Sequence, residues 1–272
     1  MSNFYQEHPV SKGLNTYIDC VWKDRQCANE NKNNLLIVPD NTVELVFSSN
    51  SIKRKTKEKN KTICTVKSHL CGLKTKPQLI DLNGDVLLSV RIKPYGLNMF
   101  TNVDLNETIN ESISPEDIFG KEILNLEELL FNCKEDVLQV KLIEHFFYQK
   151  LLKHGRYNDK VFDFFIAKIL GHKGNINIEN LSRSINISKK TVERKFIKKL
   201  GLTPKRYCRI VRLFHALKIP KTQNDFKLSS VAIDNGFYDQ AHFIKEVKQF
   251  TGMTPKEYFG IDRTIQTNVF LS

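Results

Sequence analysis

A seven-residue phrase occurs twice near the C-terminal end of the chain: Gly201-Leu202-Thr203-Pro204-Lys205-Arg206-Tyr207 returns as Gly252-Met253-Thr254-Pro255-Lys256-Glu257-Tyr258. In each copy it follows a short amphipathic segment with basic residues near its start. Two copies of one supersecondary unit predict a module that makes the same contact twice. Double-stranded DNA offers one contact repeatedly at a fixed spacing, so it is the expected partner.

The residues around each copy spell out the unit. In the first, a helix near Asn180–Ser184 leads through a tight turn to Ser188, an N-cap for the next helix. Val192, Phe196 and Leu200 recur at i, i+4 and i+8 as a buried stripe, and Gly201 ends the helix. At 100° per residue, Lys190 and Arg194 lie about 160° from Val192, on the outer face, with Glu193 beside them. In the second unit Leu228–Asn235 is the supporting helix, Gly236-Phe237 the turn and Asp239 the cap. Phe243 and Val247 point inward there, while Ala241 and Lys245 point outward beside Gln240 and His242. A helix near Thr203–Lys218 joins the units, and Arg206, Arg209 and Arg212 on it suit either phosphate contact or a solvated surface.

Charge follows the same division. The chain carries a formal net charge of +12, and residues 171–262 hold 18 Lys+Arg against 8 Asp+Glu. That asymmetry places a polyanion-binding surface in the C-terminal third. With 272 residues, 40% hydrophobic content and 18 Phe, the chain is long enough for two domains with real cores. No run reaches the ~18 apolar residues that span a bilayer, and Met1–Val10 is polar. A cytoplasmic protein with no membrane contact is expected. The six cysteines fit reduced thiols. Cys20/Cys27 and Cys64/Cys71 share a spacing that could set one pair beside another in a sheet.

The first 110 residues read as β-rich. Leu35–Val38, Thr42–Phe47, Ile63–Val66 and Val86–Ile92 are short apolar or alternating runs separated by the turn signals Pro39-Asp40-Asn41, Asn83-Gly84-Asp85 and Pro94-Tyr95-Gly96. The charged run Ser51–Thr62 is expected to be a solvated hairpin loop. Arg91 has two readings, a contact to an anionic effector or a pair with a nearby acid. From Ser114 the pattern turns helical, with Ser114 as N-cap and Pro115 at the first helical position. Helices are expected over Leu126–Phe131, Lys134–Leu152 and Asp159–Leu170. The second shows a wide apolar face of Val137, Leu138, Val140, Leu142, Ile143, Phe146, Phe147 and Leu151.

Taken together, Leu181-Ser182, Ser188, Phe196, Gly201, Pro204, Tyr207, Arg212, Ala216, Ala232, Gly236-Phe237, Asp239, His242-Phe243, Gly252, Pro255 and Tyr258 strongly resemble the AraC/XylS regulators. More weakly, Trp22, Leu36–Asp40, Glu44–Phe47, Gly72 and Val90–Gly96 resemble the cupin-like sensor domains of such regulators. The fold class expected is α+β in two domains: a β-rich cupin-like barrel or sandwich at 1–133, linking helices at 134–172, an all-α double helix-turn-helix domain at 173–262, and a tail at 263–272. What the resemblance implies is a sequence-specific transcription regulator with two recognition helices in successive major grooves. DNA contacts then fall on Lys189, Lys190, Glu193 and Arg194 in the first unit. In the second they fall on Gln240, Ala241, His242 and Lys245, with phosphate contacts on Thr191, Arg206 and Arg209. Partners implied are promoter DNA, RNA polymerase, a small-molecule effector and a second copy in a homodimer. Ser182 and Val247 depart from the family's usual small and aromatic residues. Ala241 can offer only an apolar contact, such as to a thymine methyl.

An enzyme is not expected, and neither is a cofactor or a metal. A metal-dependent cupin needs several converging histidines, yet only His8 and His69 lie in the first 110 residues.

Overall fold

The computed structural model describes residues 5–24, 35–48, 53–56, 61–64, 68–81, 86–155, 159–218, 227–260 and 268–270. Its strands are β1 Tyr5–Pro9, β2 Ile18–Asp24, β3 Leu35–Ile37, β4 Val43–Ser48, β5 Lys53–Thr56, β6 Lys61–Cys64, β7 His69–Cys71, β8 Gln78–Asp81, β9 Val86–Ile92, β10 Ser112–Ile113 and β11 Asn268–Phe270. They form two antiparallel sheets, ordered β1-β2-β9-β4-β7-β10 and β11-β3-β8-β5-β6, and between β3 and β9 the chain passes back and forth between them.

Alternation divides the larger sheet into two faces. Val21, Leu45, Leu70 and Val90 are paired across strands and essentially inaccessible, within the apolar core. On the other face Cys20, Arg91, Glu44 and Cys71 stand in one cross-strand row. This row is buried yet polar. Arg91 Nε lies 3.0 Å from Glu44 Oε1, and its Nη1 lies 2.8 Å from Glu7 Oε1. Trp22 Nε1 and Ser89 Oγ donate to the second Glu44 oxygen at 2.9 and 2.7 Å. Of the two readings of Arg91, the acid pair is the one present.

The helices are α1 Pro115–Phe119, α2 Glu122–Asn132, α3 Asp136–His154, α4 Lys160–Gly171, α5 Ile178–Ser184, α6 Lys189–Leu200, α7 Pro204–Leu217, α8 Leu228–Asp234, α9 Gln240–Thr251 and α10 Pro255–Gly260. Two 3₁₀ turns, Leu97–Met99 and Leu105–Thr108, precede them. Ser114 caps α1 as expected, accepting from Glu116 N at 3.3 Å. No described helix is long and apolar enough to cross a membrane.

Three expectations are corrected, and the tail adds a strand. The charged run Ser51–Thr62 is not simply a loop, because Lys53–Thr56 pairs with Lys61–Cys64 and with β8. Charge alone does not oppose a strand, and of the two only β6 lies at the sheet edge, where lysines are common. Cys64 and Cys71 lie in different sheets, and Cys27 lies outside the described residues, as do the turn residues 83–85. The tail contributes β11, which pairs with β3. On α3 the buried face includes Gln139 and Lys150, whereas Val137, Leu138 and Leu152 are exposed. Gln139 donates to the carbonyls of Leu130 and Cys133 at the end of α2, and Lys150 Nζ donates to Phe119 O at the end of α1. Those two polar residues donate to carbonyls at helix ends, where intrahelical partners run out.

Candidate nucleic-acid interface

The two helix-turn-helix units share one local geometry. α5 is capped by Asn177, and Ile187 N donates to Ser182 O at 3.0 Å after Asn186 takes a left-handed φ of 54°. In the second unit Phe237 N donates to Ala232 O at 2.9 Å after Gly236 takes φ 72°. Asn186 therefore plays the part of Gly236, which its neighbours in sequence did not reveal. Asparagine is among the few non-glycine residues enriched in that region, and this is the signal that identifies it. Ser182 sits where Ala232 does, fully inside the crossing, and its hydroxyl is satisfied by Ile178 O at 2.9 Å.

Ser188 caps α6 by accepting from Thr191 N, and Val192, Phe196 and Leu200 are buried beneath it. The helix stops at Gly201, φ 76°. Lys189, Lys190 and Arg194 are exposed, with Glu193 half-buried between them and 3.9 Å from Lys189 Nζ. Thr191 is half-buried, and its hydroxyl lies 2.9 Å from Ser188 Oγ, so it belongs to the cap. In the second unit Asp239 caps α9 through His242 N at 2.7 Å, and Gly252 ends it at φ 77°. Gln240, Ala241 and Lys245 are exposed. His242 is half-buried, its ring edge-on to Phe237 and its Nε2 3.6 Å from Glu246 Oε1. Tyr238, 91% exposed at the head of α9, is an outward aromatic that sequence patterning passed over.

The arginines of α7 have separate tasks. Arg206 is exposed and reaches Thr75 Oγ1 at 3.4 Å. Arg209 is engaged within the domain: its Nε donates to Glu246 and its Nη2 lies 2.5 Å from Gln249 Oε1. Arg212 donates to Gly236 O at 3.1 Å and stacks 5.0 Å from the Phe237 ring centroid. Arg209 and Arg212 thus bind the second unit to the helix that leaves the first.

The repeated phrase has unequal surroundings. A Cβ on Gly201 would stand 2.4 Å from Leu105 O, whereas one on Gly252 would meet only Pro77 Cγ at 3.5 Å. Tyr207 is fully buried near Asn41 and Tyr95, and burial pushes its hydroxyl pKa up. In the second copy Glu257 closes a capping box with Thr254, accepting from its N–H at 2.7 Å. The first phrase is therefore seated tightly on the N-terminal half, and the second only touches it, at Pro77.

Comparison with known proteins agrees with this geometry. Residues 181–260 match the family model described as a helix-turn-helix domain, and residues 6–114 match that of a domain of unknown function (DUF6597). Over 93 residues the chain is 31% identical to an uncharacterized HTH-type transcriptional regulator of Staphylococcus aureus (strain MSSA476), covering 34% of this chain and 12% of that protein. Over 127 residues it is 28% identical to an uncharacterized HTH-type transcriptional regulator of Haemophilus influenzae, covering 45% of this chain and 42% of that one. The chain thus spans less than half the length of either relative. Among solved structures, ToxT of Vibrio cholerae aligns over 84% of this chain and 93% of its own, at 15% identity and a TM-score of 0.43.

Proposed function

We propose that this chain is a sequence-specific DNA-binding transcription regulator that places α6 and α9 in successive major grooves of promoter DNA. The observation that carries the reading is the outer face of α6. Lys190 and Arg194 stand exposed one turn apart, without an acidic partner among the described residues, on a helix fixed from beneath by Val192, Phe196 and Leu200. Arg and Lys in that position reach the guanine acceptors of the major groove. α9 offers Gln240, Lys245 and the methyl of Ala241, with His242 drawn back toward Glu246, so the first unit carries more of the discrimination.

The N-terminal half, with its linking helices, supplies control in this reading, through a small effector or through self-association. Leu129, Val137, Leu138 and Leu152 on α2 and α3 are exposed apolar residues suited to a second copy or to another protein such as RNA polymerase. Among the described residues no cluster of potential metal ligands occurs.

The test is selection of a preferred duplex from random sequence, followed by binding of the Lys190→Ala plus Arg194→Ala double variant. Loss of preference for the selected duplex with an unchanged melting curve is the expected result. Retained preference would remove α6 from the reading.

A further inference from the structure

A second positive surface lies beside the base-reading stripe and extends beyond the helix-turn-helix domain. A cleft of about 920 Å³ opens between the Asn98–Val103 loop, the first turn of α4 and the flank of α6. Arg194 and Lys198 line one wall, one helical turn apart, and Lys160 stands on the other. The acid that lines the cleft, Asp159, is already engaged: it caps α4 through Phe162 N and holds Lys195 Nζ at 2.6 Å. Lys199 lies 3.5 Å from Asn98 Oδ1 and 5.6 Å from the Phe162 ring centroid. Lys160, Arg194 and Lys198 are left with no acidic partner among the described residues.

Like charges gathered without counter-charges repel one another and create a field that attracts an anion. Two features say which anion. Arg194 and Lys198 also line the neighbouring groove with Lys190, where Asp104 and Glu193 stand beside them and Glu193 lies 3.9 Å from Lys189, so the cleft adjoins the surface proposed to face the bases. In addition, Lys160, Arg194 and Lys198 are all exposed, and the cleft is open to solvent. Small-molecule sites enclose most of their ligand. An open surface on which Lys160, Arg194 and Lys198 stand without acidic partners among the described residues instead suits a strand that passes through and leaves.

We propose that this cleft grips the phosphate backbone beside the groove that α6 reads. Lys160 and the Asn98–Asn102 loop, which lie outside residues 181–260, then belong to the DNA interface. The proposal rests on α6 facing DNA as described above. It gives the N-terminal half a direct hold on DNA, so that a shift of the loop alters affinity without any rearrangement of the two helix-turn-helix units.

The experiment uses the full chain, an unrelated 30-base-pair duplex and fluorescence anisotropy over a salt series. Each lost phosphate contact lowers the slope of log K against log salt by about 0.9. Lys160→Ala plus Lys198→Ala should therefore flatten the slope by about 1.8 and weaken selected and unrelated duplexes by the same factor, with the melting curve unchanged. Unaltered slope and affinity on the unrelated duplex overturn the proposal. Saturable binding of inorganic pyrophosphate that requires Lys160, again with an unaltered DNA slope, overturns it in favour of a small anion. Base reading is scored separately, since Lys190→Ala plus Arg194→Ala is read as lost preference between the two duplexes.

Discussion

Arg209 of α7 grips Glu246 of α9, its guanidinium also bonding Gln249, so the helix that follows α6 holds α9. Beside it Arg212 reaches the carbonyl of Gly236 in the turn that starts the second recognition helix. If α6 and α9 both read DNA, as proposed, they serve as a ruler only when the distance between them is fixed, and these two arginines tie them together.

Arg209→Ala should therefore affect DNA binding more than folding. Arg209 is more than a third exposed, so its loss should cost only about 1 kcal/mol of stability. Affinity for a two-groove site should fall about tenfold, because the relative placement of α6 and α9 is no longer set before binding. Denaturant unfolding and anisotropy titration of the same variant separate the two effects.

The paired glycines should differ although their sequence contexts match. Gly201→Ala and Gly252→Ala each force a left-handed residue to carry a Cβ, at about 1–2 kcal/mol. At Gly201 the new atom also meets the backbone of Leu105, while at Gly252 it makes ordinary contact with Pro77. Calorimetry should show Gly201→Ala melting several degrees lower than Gly252→Ala. Equal losses would mean that the seat on Leu105 is not tight.

That contrast marks what the sequence could and could not convey. Ser114, Ser188 and Asp239 announced their helix starts because capping is local chemistry. Val192, Phe196 and Leu200 announced the buried stripe because helical periodicity is local too. The different fates of Gly201 and Gly252 depend on Leu105 and Pro77, residues distant in sequence. Gln139 and Lys150 were hidden for the same reason, since their burial answers carbonyls on other helices. Arg209 looked free until Glu246 was placed opposite it. Long-range pairing, rather than local pattern, decided each of these.

The buried row on the larger sheet should be sensitive to removal of its cation. Arg91→Ala leaves Glu44 and Glu7 without their shared partner, and loss of one member of a buried charge network costs about 3–5 kcal/mol. Urea unfolding should show a larger loss than for Arg209→Ala. A loss under 1 kcal/mol would mean that water or a ligand replaces the guanidinium with little effort.

Asp159 gives the link between α4 and α6 a pH dependence. Burial opposes its ionisation, but the hydrogen bonds from Lys195 and Phe162 N prevail and hold its pKa below the ordinary 3.8. Its stabilising effect is therefore fully present above that ordinary value and is lost as pH falls through the lower folded value. Asp159→Asn retains an N-cap and loses only the charge, so it should flatten this acid limb. Asp159→Ala also loses the cap and should cost about 1 kcal/mol at neutral pH. Unfolding curves at pH 7 and at pH 3 distinguish the two.

The central claim is that one chain reads two successive major grooves on one face of a duplex. Hydroxyl-radical and methylation footprinting of the full chain on its selected duplex test this most directly. The account predicts two protected groove segments centred about 34 Å apart, one helical turn, with Arg194→Ala clearing the first and leaving the second. Protection of a single groove, or of two grooves half a turn out of phase, would contradict it.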